Sequence, residues 1–374
     1  MNNRVCEMVG CEFPLFAFSH CRDVVAAVSR AGGFGVLGGS GFTPEQLETE
    51  LAWIDAHVDG KPYGVDILVP EHLAIDPDMV SAEKLREQVS PAHRKFTADL
   101  LARHGIVADP DELLSGKVLT LAHSNGEALM DVAFRHPIRL IANALGIAPP
   151  SMIERGRKHG VPVAALVGAK EHALRQVKAG VDIIVAQGTE AGGHCGEVST
   201  LVLVPEVVRA LKGVSDVPVL AAGGIVTGRQ MAACMALGAA GAWTGTVWLA
   251  TAEAETSEAF REKMVAATSR DTVRSVARTG KPSRQLRSAW HDAWEGKDSP
   301  GALPMPHMGL VSQPAFERIE KSVAGGNDAA LPLVSYFVGQ GVGLINSVTS
   351  AASVVADFRQ EFVDAMVDLQ DFVE

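Results

Sequence analysis

No two cysteines in this chain have the spacing of a metal site or a redox motif. Cys6, Cys11, Cys21, Cys195 and Cys234 are odd in number and scattered, with no C-x-x-C pair and no His/Cys zinc pattern. A disulfide framework and a structural metal are therefore not expected. Aromatic residues are only 5% of the chain, and no basic cluster is interleaved with them. With 33 Lys and Arg against 44 Asp and Glu, the formal net charge is −11 and the pI is near 5.6. That balance argues against nucleic acid or an anionic membrane as the main partner. No apolar run approaches the roughly 18 residues of a membrane span, and residues 1–10 lack the charged-then-apolar layout of a secretory signal. The expectation is a soluble, cytoplasmic protein whose partner is a small molecule, with the oligomeric state open.

Nucleotide and hydrolase motifs are missing as well. There is no G-x-x-x-x-G-K-[ST] loop and no G-x-S-x-G elbow, and Gly339-x-Gly341-x-Gly343 lacks the third glycine of a dinucleotide fingerprint. Gly32-Gly33-Phe34-Gly35 precedes a strand rather than following one.

What is present is a rhythm. The 374 residues are 47% hydrophobic with 37 glycines and a mean hydropathy of +0.15, enough to bury a large core. Short apolar runs at 13–19, 34–37, 63–69, 138–145, 161–167, 181–186, 217–222 and 241–249 read as strands. Helical patterns at 23–31, 44–57, 150–159, 170–179, 205–212 and 229–237 lie between them. Eight alternating units favour a closed (β/α)8 barrel over an open doubly wound sheet. We expect the barrel to occupy residues 1–251, with an enlarged helical excursion at 70–136 after the third strand. Residues 252–374 are expected as a mainly helical C-terminal region packed on the barrel. Within that region 258–267, 316–324 and 348–373 look helical, and 285–306 reads as irregular.

In a barrel the loops after the strands form one rim, where chemistry resides. The stretch Ala186-Gln187-Gly188-Thr189-Glu190-Ala191-Gly192-Gly193-His194-Cys195-Gly196 follows the sixth strand. It combines a carboxamide, a carboxylate, glycines that admit close backbone approach, and an imidazole able to exchange a proton near neutrality. Three further clusters follow strands: Ala17-Phe18-Ser19, the carboxylate Asp66 in an otherwise apolar strand, which also reads as a hydrogen-bonded structural group, and Ala222-Gly223-Gly224 with Thr244-Gly245-Thr246. The last lies after strands seven and eight, where barrels frequently bind phosphate through backbone N–H groups; against this stands the ordinary use of glycine to turn a chain. Cys195 beside His194 suggests a nucleophile, but adjacent loop residues rarely point at one another. His20, His72, His93, His123 and His307 read as surface or packing histidines.

These residues bear a likeness. AQGTEAGGHCG after a strand, AAGGI one unit later and TGTVWLATAE at the last strand resemble the nitronate monooxygenase (2-nitropropane dioxygenase-like) flavoproteins. AAVSRAGGFGVLGGSG, GKPSRQLRSAWHDAW and VGQGVGLI fit the same family, so the resemblance runs from Phe13 to about Ile345. It implies an FMN-binding barrel with a small helical C-terminal domain and no metal. Gln187 and Gly188, with Gly192 and Gly193 beside them, would lie at the flavin. Gly223-Gly224 and Gly245-Thr246 would hold its phosphate, and His194 would face the substrate as proton acceptor. The implied reaction oxidises a nitronate or nitroalkane with O2 to a carbonyl compound and nitrite. Asp66 stands where many members have Asn, and Val247 where many have Arg. Relatives on this fold include NAD(P)H-dependent reductases of quinones and of enoyl or CoA thioesters. A non-catalytic flavin- or metabolite-binding barrel is the reading from another class.

Overall fold

The computed structural model describes residues 3–69, 82–115 and 123–372. Eight parallel strands close into a barrel: Leu15–Ser19, Phe34–Gly38, Tyr63–Asp66, Ile141–Asn143, Val163–Val167, Ile183–Gln187, Val219–Ala222 and Gly241–Thr244. The eighth pairs with the first, Ala17 opposite Thr244. The fold is the (β/α)8 barrel that the alternation predicts.

Side chains alternate across each strand, so register decides what reaches the interior. Phe16, Phe34, Val36, Leu140, Ala142, Ala164, Ile183, Val185, Leu220 and Trp243 form one buried cluster inside the barrel, with Phe16 stacked on Trp243 at 6.0 Å. The helix Arg4–Val9, which the sequence reading did not foresee, adds Val5, Cys6 and Val9 to that cluster. Its cap residue Asn3 also donates from Nδ2 to Ala240 O at 2.8 Å. Continuing the two-residue alternation upward gives the last inward layer: Phe18, Gly38, Asp66, Leu166, Gln187 and Ala222. Phe18 and the ring of His20 cover the end of the second strand, where a Cβ on Gly38 would meet them at 2.9 and 2.6 Å.

The eighth strand ends earlier than its apolar run. Thr244 Oγ1 donates to Phe16 O and accepts from Trp248 Nε1, both at 2.9 Å, and Thr246–Ala250 turn as a 3-10 helix. Two helices start earlier than expected because proline lies inside them. Thr200–Leu211 contains Pro205 and His307–Ala324 contains Pro314. The stretch 285–306 is not wholly irregular: it holds the end of a strand, Ser283–Leu286, and the helix Ala289–Trp294, closed by a Ser288–His291 capping box. Ser283–Leu286 pairs antiparallel with Thr272–Ser275 on one side and with Gly193–His194 on the other. The last helix, Ala351–Asp371, packs on Gly228–Ala236 and Arg22–Arg30.

The described part of the excursion is helical, at Ala82–Glu87, Pro91–Arg103 and His123–Ala133. Pro91–Arg103 meets the C-terminal region: Phe96 lies edge-on to Trp294 at 4.9 Å, and His93 Nε2 is 3.1 Å from Gly301 O. His93 and His307, whose Nε2 is 2.7 Å from Gln88 Oε1, are packing histidines as expected. His72 lies outside the described residues. No helix among the described residues is long and apolar enough to cross a membrane.

Candidate active site

The loop after the sixth strand is built by contacts that leave no room for a side chain at Gly188 or Gly192. Gly188 N donates to Ala222 O at 2.9 Å, tying the loop to the seventh strand. A Cβ on Gly188 would lie 2.2 Å from Thr200 Oγ1 and 2.4 Å from Thr200 N, so the start of the helix Thr200–Leu211 sets that glycine. The carboxylate of Glu190 accepts the Thr200 backbone N–H at 2.9 Å, and the Thr200 hydroxyl lies 2.9 Å from both Glu190 Oε2 and Gly223 O. Glu190 thus fills the N-terminus of this helix and favours it electrostatically.

The far side of the loop is held by the C-terminal region. Gly193–His194 pairs with Ser283 and Arg284, and Arg284 Nε donates to Thr189 O at 2.9 Å. Gln340 N donates to Glu190 O at 2.8 Å, and Gly339 N to Thr246 Oγ1 at 2.9 Å. A Cβ on Gly192 would meet Gly339 N at 2.9 Å, and one on Gly341 would meet Gly224 O at 2.6 Å. The segment 336–343 therefore roofs the loops after strands six, seven and eight. That role was missed in the sequence, where Gly339, Gly341 and Gly343 read only as an incomplete dinucleotide motif.

His194 is half-buried, with Nε2 2.9 Å from Thr279 Oγ1 and the ring 6.3 Å from that of Phe337. Burial, and then the Lys281 ammonium, push its pKa down to about 4, so the imidazole is neutral at physiological pH. Nδ1 makes no hydrogen bond to any described residue. Thr279, Lys281 and Phe337 were absent from the candidates read from the sequence. Of the three, only Lys281 lies within a family-like segment, and Thr279 and Phe337 each stand one residue before one.

Asp66 ends the third strand at 5% exposure, facing inward, with no hydrogen bond or ion pair on its carboxyl among the described residues. Burial raises its pKa to about 7. Phe18, Ser19 and Gln187 are partly exposed at the same end of the barrel. His20 belongs with them: its Nδ1 is 3.0 Å from Gly38 O and its ring edge-on to Phe18 at 5.1 Å. Three candidates turn their side chains elsewhere. Ala17 is fully buried in the core outside the barrel, the Thr244 hydroxyl bonds Phe16 and Trp248, and the Ser19 hydroxyl accepts the N–H of Cys21 at 3.1 Å. Ala222 is 3% exposed. By contrast a Cβ on Gly193 or Gly245 would meet nothing within 4 Å, so both backbones border open space.

Across residues 19–361 the sequence matches the family model described as nitronate monooxygenase. The chain belongs to the nitronate monooxygenase family. It is 53% identical, over the full length of both chains, to Rv1533 of Mycobacterium tuberculosis, which carries the name monooxygenase with no substrate attached. It is 28% identical to a Staphylococcus saprophyticus protein that carries the name nitronate monooxygenase, over 77% of this chain and 79% of that one. Among solved structures, FabK from Thermotoga maritima superposes with a TM-score of 0.72 at 26% identity, covering 100% of this chain and 99% of that one. Nitroalkane oxidase from Streptomyces ansochromogenes gives 0.78 at 24% identity, covering 98% and 99%, a likeness of fold. As a member of this family the chain is a flavin-dependent oxidoreductase.

Proposed function

We propose that the protein is an FMN-dependent nitronate monooxygenase, oxidising alkyl nitronates and nitroalkanes with O2 to a carbonyl compound and nitrite. The observation that carries the reading is His194. It is a neutral imidazole at the carboxyl end of the barrel, with one nitrogen engaged by Thr279 and the other unpaired. A neutral imidazole can accept the proton alpha to a nitro group, and it can donate to a nitronate oxygen once protonated.

The residues present fit a planar phosphorylated group. Open space borders the backbones of Gly245 and Gly193, and the inward residue Ala222 is small. We assign the phosphate to the backbone of Gly223, Gly224, Gly245 and Thr246, and the ring to Ala17-Phe18-Ser19, Asp66, Gln187, Gly188, Gly192 and Gly193. The buried Ala17, Ala222 and Thr244 would contribute through their backbones. Bound FMN supplies the electron transfer to oxygen. The chain supplies a proton acceptor at His194, apolar cover from Phe337, and a roof that excludes water.

A second reading, an NAD(P)H-dependent reductase of quinones or enoyl thioesters, draws on the 26% identity to FabK over the whole chain. Anaerobic spectroscopy of the purified holoenzyme separates the two. Reduction by a nitronate, and oxygen consumption without NAD(P)H, support the first. Bleaching by NADH or NADPH with no response to nitronates would replace it with the second.

A further inference from the structure

Thr279 Oγ1 has three polar neighbours: Lys281 N at 3.3 Å, Lys281 O at 3.1 Å and His194 Nε2 at 2.9 Å. A hydroxyl brings one hydrogen and two lone pairs. The Lys281 N–H can only donate and the Lys281 carbonyl can only accept. Directing the hydroxyl hydrogen to that carbonyl satisfies both, and leaves one lone pair for a hydrogen on Nε2. The opposite choice, with the hydroxyl donating to Nε2, sets the Lys281 carbonyl against an oxygen lone pair at 3.1 Å. Only the first assignment satisfies every group. Burial, and then the Lys281 ammonium, disfavour a second proton on the ring, so the ring carries one.

We propose that Thr279 is a positioning residue that holds the single proton of His194 on Nε2 and thereby leaves Nδ1 as the proton-accepting atom. The tautomer assignment stands on the hydrogen-bond geometry, whereas the accepting role rests on the nitroalkane reading given above. In that role the Cα–H bond of a neutral nitroalkane breaks. Its electron pair moves into the nitro group to give the nitronate, and the proton passes to Nδ1. With the other tautomer, Nδ1 already carries hydrogen and cannot accept it. The β-ladder from Gly193–His194 to Ser283 and Arg284 fixes the backbone on both sides of this contact, so the residue that sets the ring and the ring itself move together.

The test uses the holoenzyme labelled with 15N-histidine, with the His194 signal identified by its loss in His194→Asn. At neutral pH the long-range proton–nitrogen pattern of the wild type and of Thr279→Ser should report hydrogen on Nε2. Thr279→Val and Thr279→Ala should shift His194 toward hydrogen on Nδ1. In parallel, kcat on a neutral nitroalkane should fall about tenfold to a hundredfold in the Val and Ala variants. Thr279→Ser should restore it to within about twofold, and turnover of a preformed nitronate should change less than about threefold. A His194 pattern unchanged in both the Val and Ala variants would overturn the proposal, and so would an equal loss in Ser and Val. A tautomer shift in the Val and Ala variants, when the wild type turns over no nitroalkane, upholds Thr279 and removes the nitronate reading instead.

Discussion

His194 and Asp66 face the same mouth but are shifted in opposite senses from their ordinary ionisation, each towards its uncharged form. For His194, on the function proposed above, the consequence is catalytic. Replacing it with Asn should reduce turnover of a neutral nitroalkane by about 10²–10³-fold, with a much smaller loss on the preformed nitronate. Equal losses on both substrates, in steady-state assays at saturating oxygen, would remove the proton-accepting role. For Asp66 the consequence is thermodynamic. Its folded pKa of about 7 lies above the unfolded value near 3.8, so the folded state retains the proton over that interval. Stability from this group is complete below pH 4 and declines as pH rises through 7. Asp66→Asn should therefore stabilise the flavin-free protein by about 2–4 kcal/mol at pH 8 and by little at pH 4. Urea unfolding at the two pH values measures the difference. A gain that is the same at both would deny the buried protonated carboxyl.

Glycines that look alike in the sequence separate at the scale of elements. Gly188 lies against the first turn of Thr200–Leu211, and Gly245 borders open space. Gly188→Ala should cost about 2 kcal/mol or more, because backbone and a buried side chain cannot both give way. Gly245→Ala should leave the unfolding midpoint of the flavin-free protein within about 1 kcal/mol while lowering flavin retention after gel filtration. Equal stability loss in the two variants would contradict the contrast. The same scale shows what the sequence could and could not convey. Short continuous apolar runs carried the eight strands because each must bury both faces, and loops after strands carried His194, Gly224 and Gly245 because barrel topology gathers them. The two-residue strand Gly193–His194 was illegible, since its partner Ser283–Leu286 lies some ninety residues on and no local pattern announces the pairing. Pro205 and Pro314 misled in another way. A proline inside a helix forfeits one hydrogen bond, and tertiary packing over the remaining turns outweighed it here.

For the whole molecule, acid sensitivity follows from histidines buried in neutral form. His291 is fully buried between Gln285 and Ser288, with its pKa pushed down to about 4, chiefly by burial. Its unfolded counterpart protonates near 6.5, so the stability it supports is present above that value and is lost as pH falls toward 4, by about 3 kcal/mol. His194 acts in the same direction. Urea midpoints should drop between pH 7 and pH 4.5, and His291→Asn should flatten part of that slope. An unaltered slope would place the acid sensitivity elsewhere.

The roof over the mouth has a consequence for biosynthesis. All eight barrel strands have been made once Thr244 is added, yet the loop that carries His194 is tethered by Thr279, Ser283, Arg284, Gly339 and Gln340. A nascent chain paused near residue 250 would hold every barrel strand and still lack the groups that set the histidine and cover the glycines. Cofactor capture is therefore tied to the last hundred or so residues leaving the ribosome, and a messenger truncated between those points would yield a barrel with no working mouth.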